Sequence, residues 1–190
     1  MRVFIAISLP TDIKEGISSQ TDPLKTQFPR VKWEQPNKLH ITLAFLGKID
    51  KGRLEDLKTG IAEVTKNSQA FNLTVLNGLS YFYKRHADSI IFINVQDPNH
   101  KLKTFYQKLQ KSLKSIGFFL PERLSPHITV GRLKRIRFPN ERKRILADIA
   151  KVEPRPLGEF VVKALDLYES LYSLEKSTSQ YKLIKAFTLS

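Results

Sequence analysis

The sequence predicts an α+β protein in which two similar lobes of mainly antiparallel sheet, with outer helices, surround a central cleft. Strand-like and helix-like segments follow each other in an irregular order along the 190 residues, which favours antiparallel over parallel sheets. One tetrapeptide pattern occurs twice, as His40–Leu43 and His127–Val130, with the two histidines 87 positions apart. We therefore expect residues 1–190 to form a single domain made of two pseudo-symmetric lobes, each carrying one copy of the pattern.

Four elements are expected in the first third of the chain. The strand segments are rich in Val, Ile and Phe, and the helical segments carry apolar residues three or four positions apart. In order, they are a strand over Arg2–Leu9, a helix from Thr11 or Asp12 towards Gln27, extended structure over Val31–Leu46 and a helix over Asp50–Lys66. The first copy of the pattern therefore lies in a strand that leads into a helix.

The rest of the chain again mixes strands and helices. Asp97 and Pro98 are expected to start a long basic helix, and Gly117 is expected to end it. In order, the elements are strands over Phe71–Phe82 and Ser89–Val95, the basic helix, a strand within Ser125–Leu133, a helix over Pro139–Lys151, and closing strands over Leu157–Leu171 and Gln180–Leu189. The second copy of the pattern also lies in a strand before a helix.

Composition limits the classes of function. The chain has 32 Lys and Arg against 18 Asp and Glu, and the net charge of +14 favours nucleic acid as partner. A basic coat that serves only solubility is the alternative. The absence of cysteine excludes disulfides and thiolate chemistry and is compatible with a reducing cytoplasm. Pro10 interrupts the first apolar run before it reaches the length of a membrane span, so we expect a soluble, cytoplasmic protein with no membrane partner.

Each copy of the pattern places a histidine two residues before a threonine. Alternate residues of a β-strand project from the same face, so His40 with Thr42 and His127 with Thr129 are expected to enter one space. Given the composition, about 0.003 strings of this kind are expected by chance, so two copies indicate function. A lone histidine in an apolar strand is more often a core residue, and the repetition argues against that interpretation.

Two imidazoles and two hydroxyls that converge on one cleft suit an anionic ligand. Imidazole has an ordinary pKa near about 6.5, so one histidine can accept a proton while the other donates one at neutral pH. A phosphodiester fits this arrangement, because the hydroxyls can hold non-bridging oxygens while the histidines move protons. No cofactor or metal is expected, since no second His, Cys or carboxylate accompanies either motif as a zinc site would require.

Further candidate contacts follow the second motif. Arg132 comes five residues after His127, so strict strand alternation puts it on the neighbouring surface, from which its long stem could still reach a phosphate. The segment Arg132–Arg144 carries seven basic residues and one acid, Glu141, and is predicted to follow a phosphate backbone. Trp33, Phe45 and Tyr83 are candidates for stacking on a base, and His86 and His100 are expected at the solvated surface.

The chain resembles the two-histidine phosphoesterases, in particular the LigT-like RNA 2′,3′-cyclic phosphodiesterases, also called 2′-5′ RNA ligases. The similarity spans nearly the whole chain and is carried by the paired His-x-Thr motifs and by four further segments. These segments are Arg2–Pro10, Val31–His40, Leu167–Leu171 and Tyr181–Leu183. The resemblance implies a bilobal catalytic domain that hydrolyses an RNA 2′,3′-cyclic phosphate to a 2′-phosphomonoester without a metal.

The resemblance also implies a role for each site residue. His40 corresponds to the proton donor for the departing 3′ oxygen, and His127 to the proton acceptor that activates water. The phosphate-binding residues correspond to Thr42, Thr129 and Arg132. Phe45 occupies in the first repeat the position of Arg132 in the second and is expected to contact the base or ribose. The implied substrates are RNAs with a 2′,3′-cyclic phosphate end, including tRNA fragments, and a monomer is expected.

Two alternatives remain at the level of the sequence. In one, the chain is a non-catalytic RNA-binding module whose motifs hold phosphate without turnover. In the other, the same chemistry acts on a small cyclic phosphate or a nucleotide. Reverse 2′-5′ ligation is also expected to be possible, since the acid and the base can exchange roles under microscopic reversibility.

Overall fold

The computed structural model describes residues 1–83, 87–134, 139–151, 156–173 and 178–190, and all structural statements concern these residues. The strands are β1 (Arg2–Ser8), β2 (Val31–Trp33), β3 (His40–Lys48), β4 (Phe71–Phe82), β5 (Ser89–Gln96), β6 (His127–Leu133), β7 (Pro156–Val162), β8 (Ala164–Ser173) and β9 (Thr178–Thr188). The helices are α1 (Thr11–Gln27), α2 (Leu54–Lys66), α3 (Lys101–Ser115) and α4 (Pro139–Ile149). Short 3₁₀ turns over Pro36–Lys38 and Lys51–Arg53 precede β3 and α2.

The nine strands of the described ranges form one antiparallel sheet. Its order is β7-β4-β5-β6-β3-β1-β8-β9, and the short strand β2 pairs with β6 off this path. The two motif strands, β3 and β6, are neighbours at the centre of the sheet, where Ile41 pairs with Ile128. The expected α+β class with mainly antiparallel sheet is confirmed.

The sheet order divides into two similar halves at the β3–β6 pair. In the first half β1 and β3 flank α1 in sequence and pair antiparallel, and in the second half β5 and β6 flank α3 and do the same. The offset of 87 residues between the motifs also carries β1 onto β5. The backbone thus repeats itself although the two halves share little sequence identity outside the motif. That they act as two lobes of one catalytic domain stays a prediction.

The helices pack against one face of the sheet. Ile61 of α2 and Leu102 of α3 are fully buried in the same apolar cluster as Ile41 and Ile128 of the central strands. Removing this apolar surface from water stabilises the sheet and leaves its opposite face for the polar residues of the motifs. Within the described ranges, the helices lack the length and apolar character needed to cross a membrane.

The run Leu157–Leu171, which was expected to supply closing strand structure, is divided between two strands. β7 pairs with β4 at one edge of the sheet, whereas β8 lies between β1 and β9 near the other edge. The break falls at Lys163, a position without the glycine or proline that signals a turn. Since one residue links these two strands, the sheet must curl so that its edges approach each other.

The starts of two helices also differ from expectation. Pro10 is the N-cap of α1, and no side-chain hydrogen bond caps this helix. Helix α3 has His100 as its N-cap, whereas Asp97 lies further upstream and accepts a hydrogen bond through Oδ2 from the backbone N–H of Lys103 (3.0 Å). Sequence alone located both helices correctly and misplaced only the groups at their ends.

A close contact holds β2 on β6. Trp33 pairs with Gly131, and a Cβ built on Gly131 would lie 2.8 Å from Cγ1 of Val31 and 3.3 Å from Cε3 of Trp33. A side chain cannot occupy that space without displacing β2, so glycine permits the close approach of the two backbones. Since Glu34 directly follows β2, this contact also places its carboxylate.

We expect Gly131→Ala to lower the free energy of unfolding by about 1–3 kcal/mol, because the added methyl group overpacks the contact between β2 and β6. Gly52→Ala is the matched control, since its added Cβ would meet only Oδ1 of Asp50, at 3.8 Å. Chemical denaturation of both variants measures the difference. Equal stabilities of the two variants would contradict the packing argument.

Candidate active site

Strands β3 and β6 present the two motifs side by side on one face of the sheet. They are antiparallel and pair through the central isoleucine of each motif, so each motif histidine lies beside the threonine of the other motif. The isoleucines are buried on the helix-covered face. The half-buried residues of the opposite face are His40, Thr42, His127 and Thr129. The structure therefore brings the four predicted side chains together.

Each motif strand contains a β-bulge at the fourth residue of the motif. The register of β3 against β1 skips Leu43, and the register of β6 against β5 skips Val130. Two consecutive buried residues result, and the alternation of faces then continues with the opposite phase. This corrects the expectation for Arg132, which returns to the face of His127 despite the odd spacing. The bulge in β3 likewise returns Phe45 to the face of the sheet that carries both histidine–threonine pairs, which is called the shared face below.

Main-chain carbonyl groups orient both imidazole rings. Nδ1 of His40 donates to the carbonyl of Lys38 (2.6 Å), and Nδ1 of His127 donates to the carbonyl of Ser125 (2.7 Å). A carbonyl can only accept, so each neutral ring carries its proton on Nδ1 and its lone pair on Nε2. Nε2 of His40 accepts a hydrogen bond from the hydroxyl of Thr42, at 2.9 Å. Both rings thus keep Nε2 for proton transfer.

Two aromatic side chains from other strands pack around His40. Its ring centroid lies 5.2 Å from that of Phe4 on β1 and 5.3 Å from that of Tyr181 on β9. The ring of Phe4 also stacks on Tyr168 of β8, at 5.3 Å. β1 and β8 separate β3 from β9, so the contact with Tyr181 requires the curl of the sheet. This packing accounts for the burial of His40.

The second histidine has a corresponding aromatic neighbourhood. The ring centroid of His127 lies 5.3 Å from Phe82 of β4 and 5.2 Å from Phe92 of β5, and these two phenylalanine rings stack on each other at 4.2 Å. Each imidazole is therefore packed against two aromatic rings from other strands of the sheet, which restricts its rotation.

Three hydrogen-bonded side chains of β1 and β8 lie beside His40. Ser8, which pairs with His40 across β1 and β3, donates its hydroxyl to Oδ2 of the buried Asp166 at 2.5 Å and lies 2.8 Å from the hydroxyl of Tyr168. The carboxylate is satisfied by these hydroxyl donors. The group links β1 to β8 and fixes the strand that carries Phe4.

An acidic residue that was not singled out in the sequence lies at the site. Oε1 of Glu34 is 3.5 Å from Nε of Arg132. Burial lowers the pKa of His40 below its ordinary value. The Lys38 carbonyl and the Glu34 carboxylate oppose this shift of the pKa, and the charges of His127 and Arg132 add to it. We infer that His40 is mostly neutral in the free protein at neutral pH.

Some of these groups could have been found from the sequence. Phe4, Glu34 and Tyr181 each lie inside a segment that carries the family resemblance, so the resemblance was the available signal. Phe82 and Phe92 have the character of ordinary strand residues, and strand composition contains nothing that distinguishes them.

Burial raises the pKa of Tyr181 above its ordinary value, so its hydroxyl stays protonated at neutral pH.

The predicted basic track must be corrected at Arg142. This side chain is only 2% exposed, and its Nη2 donates to the carbonyl of Ala87 and to Oγ of Ser89. Its guanidinium also lies 5.1 Å from the ring centroid of Tyr83. Arg142 therefore ties α4 to the connection between β4 and β5 and is not available to a phosphate. The exposed members of the track are Lys134, Lys143 and Arg144, and Arg135 and Arg137 lie outside the described residues.

The three candidates for base stacking differ in exposure. Phe45 is 65% exposed on the shared face, which suits a contact with a ligand. Trp33 is half-buried against the core, and Tyr83, although 40% exposed, packs on Arg142. His100 is exposed at the start of α3 as expected, and His86 lies outside the described residues.

A curled antiparallel sheet that carries two histidine–threonine pairs on one face defines the class of two-histidine phosphoesterases. The family model described as LigT like Phosphoesterase matches residues 7–92 and 93–173, and each matched segment contains one motif. The chain belongs to this family of LigT-like phosphoesterases.

Curated relatives carry one name. An RNA 2′,3′-cyclic phosphodiesterase of Thermotoga maritima is 28% identical over 149 residues, which cover 78% of this chain and 78% of the relative. A protein of the same name from Methanocaldococcus jannaschii is 29% identical over 185 residues, covering 97% of this chain and 99% of the relative. The similarity therefore extends over nearly the full length of the Methanocaldococcus jannaschii relative and over about three quarters of the Thermotoga maritima relative.

Solved structures agree with the fold. A crystal structure of a Thermus thermophilus protein matches with a TM-score of 0.78 at 21% identity and covers 100% of this chain and 98% of the other. The apo structure of Escherichia coli LigT matches with a TM-score of 0.72 at 21% identity, covering 100% and 97% of the two chains.

We expect substitutions at Glu34 and Arg132 to move the pKa of His40 in opposite directions. Glu34→Gln removes a charge that raises this pKa and should lower it further, and Arg132→Gln removes a charge that lowers it and should raise it. NMR titration of the imidazole of His40 in the two variants measures both shifts. Movement in the same direction would show that the two side chains do not act on His40 through their charges.

Proposed function

We propose that the protein hydrolyses RNA 2′,3′-cyclic phosphate ends to 2′-phosphomonoesters without a metal, with the two motif histidines as acid and base. The observation that carries this proposal is the juxtaposition of the two histidine–threonine pairs on β3 and β6, with both rings held through Nδ1. The activity named for the relatives of Thermotoga maritima and Methanocaldococcus jannaschii supports the choice of substrate.

In the proposed reaction, Nε2 of His127 accepts a proton from water as the water oxygen attacks phosphorus. The bond between phosphorus and the 3′ oxygen breaks, and Nε2 of protonated His40 gives its proton to that oxygen. The phosphate stays on the 2′ oxygen. His127 ends the step protonated and His40 neutral, and exchange with solvent restores both. This assignment of acid and base follows the family resemblance.

Substrate binding is proposed to prepare His40 for its role. In the free protein the ring is mostly neutral and accepts a hydrogen bond from Thr42. A bound phosphodiester anion would raise the pKa of His40 and favour its protonated form. The hydroxyl of Thr42 can then turn to one non-bridging oxygen, and Thr129 and Arg132 hold the other, where they stabilise the charge that develops in the transition state.

The exposed ring of Phe45 is proposed to contact the base or ribose. It lies 5.5 Å from the ring of Phe4, which packs against one side of it, while Phe45 as a whole remains 65% exposed. Stacking of a base on such a ring is tolerant of sequence, because every base has an aromatic face.

We further propose that the substrates include tRNA fragments and that the chain acts as a monomer in the cytoplasm. The net charge of +14 supports a long polyanionic substrate. Reverse 2′-5′ ligation belongs to the same proposal, because a 5′-hydroxyl end can replace water as the nucleophile, with His127 taking its proton and His40 protonating the departing 3′ oxygen as in hydrolysis.

We expect His40→Ala and His127→Ala each to reduce turnover of a cyclic-phosphate oligoribonucleotide by about 10²- to 10⁴-fold, the usual contribution of one positioned acid or base. His100→Asn is the matched control, because His100 is exposed and has a φ of 54° that asparagine tolerates. Single-turnover rates in excess chelator measure the loss. Full turnover by the His40→Ala, His127→Ala double variant would end the proposal.

The position of the phosphate in the product is a separate expectation. If His40 protonates the 3′ oxygen, the product carries its phosphate on the 2′ oxygen, and phosphorus NMR of the product distinguishes the two isomers. Formation of a 3′-phosphomonoester would show that the substrate lies in the site in the reverse orientation. No product in the presence of salt-sensitive RNA binding would instead indicate a non-catalytic RNA-binding module.

A further inference from the structure

An open cavity of about 420 Å³ adjoins the site at one end of the paired motifs. Its size lies within the range of about 300–1,000 Å³ that is usual for small-molecule sites. Three basic residues, two acids and two tyrosines characterise its lining. These residues are Lys32, Arg132, Lys134, Glu34, Asp88, Tyr172 and Tyr181. They come from β2, β6, β8 and β9, from the residues that directly follow β2 and β6, and from Asp88 directly before β5, which the curl of the sheet brings together.

The cavity is continuous with the proposed active site. Tyr181 lines the cavity and also packs on the ring of His40, at 5.3 Å between centroids. Arg132 lines the cavity, pairs with Glu34 and acts through its charge on His40. A ligand whose phosphate lies between the two histidines can therefore extend on one side into the mouth of this cavity.

The two ends of the motif pair differ in chemistry. Because β3 and β6 are antiparallel, the residues that follow the two motifs lie at opposite ends of the site. Arg132 and the cavity occupy one end, and the exposed ring of Phe45 occupies the other. The site is thus cationic at one end and apolar at the other, so it can distinguish the parts of a substrate that extend in the two directions.

The charges of the cavity favour an anion. Lys32 and Arg132 are direct partners across β2 and β6, so their side chains lie on the same face. Glu34, which pairs with Arg132, and Asp88 bring two negative charges into the same lining, so an excess of one positive charge remains when Lys134 is counted. Lys134 adds a third positive charge, two residues beyond Arg132. Tyr172, which is 63% exposed, presents an aromatic ring at the rim.

We propose that this cavity is a subsite for the 5′-phosphate of the terminal nucleotide, with Tyr172 available to stack on the preceding base. The proposal rests on the function proposed above and deepens it. With this subsite, the preferred substrate is an RNA end whose terminal nucleotide carries a phosphate on its 5′ side. A nucleoside cyclic phosphate lacks that group. Lys32, Arg132 and Lys134 recognise that second phosphate.

Binding of two small probes tests the subsite without requiring turnover. We expect wild-type protein to bind adenosine 2′,5′-bisphosphate about 10-fold more tightly than adenosine 2′-phosphate, as one additional charge-assisted contact would give. Calorimetry at low and moderate salt measures both affinities. A ratio of affinities near one in the wild type would overturn the subsite.

Charge-removing variants locate the effect. Lys32→Gln and Lys134→Gln should each lower the ratio of the two affinities by about 3- to 5-fold, as the loss of one partly exposed ion pair would. Lys111→Gln on α3 is the matched control, because it removes the same charge outside the cavity and should leave the ratio unchanged. If all three variants weaken both probes equally, the lysines act only through the general field of the protein and the subsite is wrong.

Turnover separates this proposal from the function on which it rests. Adenosine 2′,3′-cyclic phosphate is compared with the same compound carrying a 5′-phosphate and with a dinucleotide that ends in a cyclic phosphate. The subsite predicts a lower KM for the last two in the wild type and a smaller advantage in Lys32→Gln. Hydrolysis of all three with equal KM overturns the subsite alone, whereas no hydrolysis of any of them overturns the proposed function.

Discussion

Ile41 and Ile128 face each other across β3 and β6, and the register of this one pair determines how the four motif side chains lie relative to one another. Both isoleucines are fully buried among residues of the helices, so a shift of either strand by one residue would expose an isoleucine and bury a histidine. The cost of such a shift is the loss of the apolar contacts of a whole strand face. The apolar core therefore holds the polar groups of the opposite face in register.

The two bulges add a second constraint. They let residues at an odd spacing from each histidine return to the shared face, and they do so at the same motif position in both strands. The halves differ in the residue that the bulge places on the shared face, which is Phe45 in the first half and Arg132 in the second. A repeated backbone thus supplies a symmetric pair of imidazoles and an asymmetric pair of neighbouring side chains.

Much of the fold follows from local sequence. The alternation of β3 and β6 and the apolar spacing of α2 and α3 locate these elements closely, because burial of one face leaves a clear periodic signal. The split between β7 and β8 at Lys163 leaves no such signal, because no glycine or proline marks it and the break depends on which distant strand each one pairs with. Local patterns do not contain that information.

The site shows the same division between local and long-range information. The duplicated motif identifies His40, Thr42, His127 and Thr129 because repetition of a polar pair has no explanation in core packing. The ring of Tyr181 reaches His40 only through the curl of the sheet, and the inward turn of Arg142 depends on its packing against the β4–β5 connection. Alternation also failed for Arg132, since a bulge is set by the partner strand.

The carbonyl groups that hold the two rings belong to the main chain, at Lys38 and Ser125. Replacing either side chain leaves the acceptor in place, so a survey of the site by alanine substitution would pass over both positions. Semisynthesis that exchanges an amide for an ester weakens the carbonyl as an acceptor and would reach this contribution directly. The orientation of both imidazole rings therefore depends in part on backbone geometry, which side-chain substitutions change little.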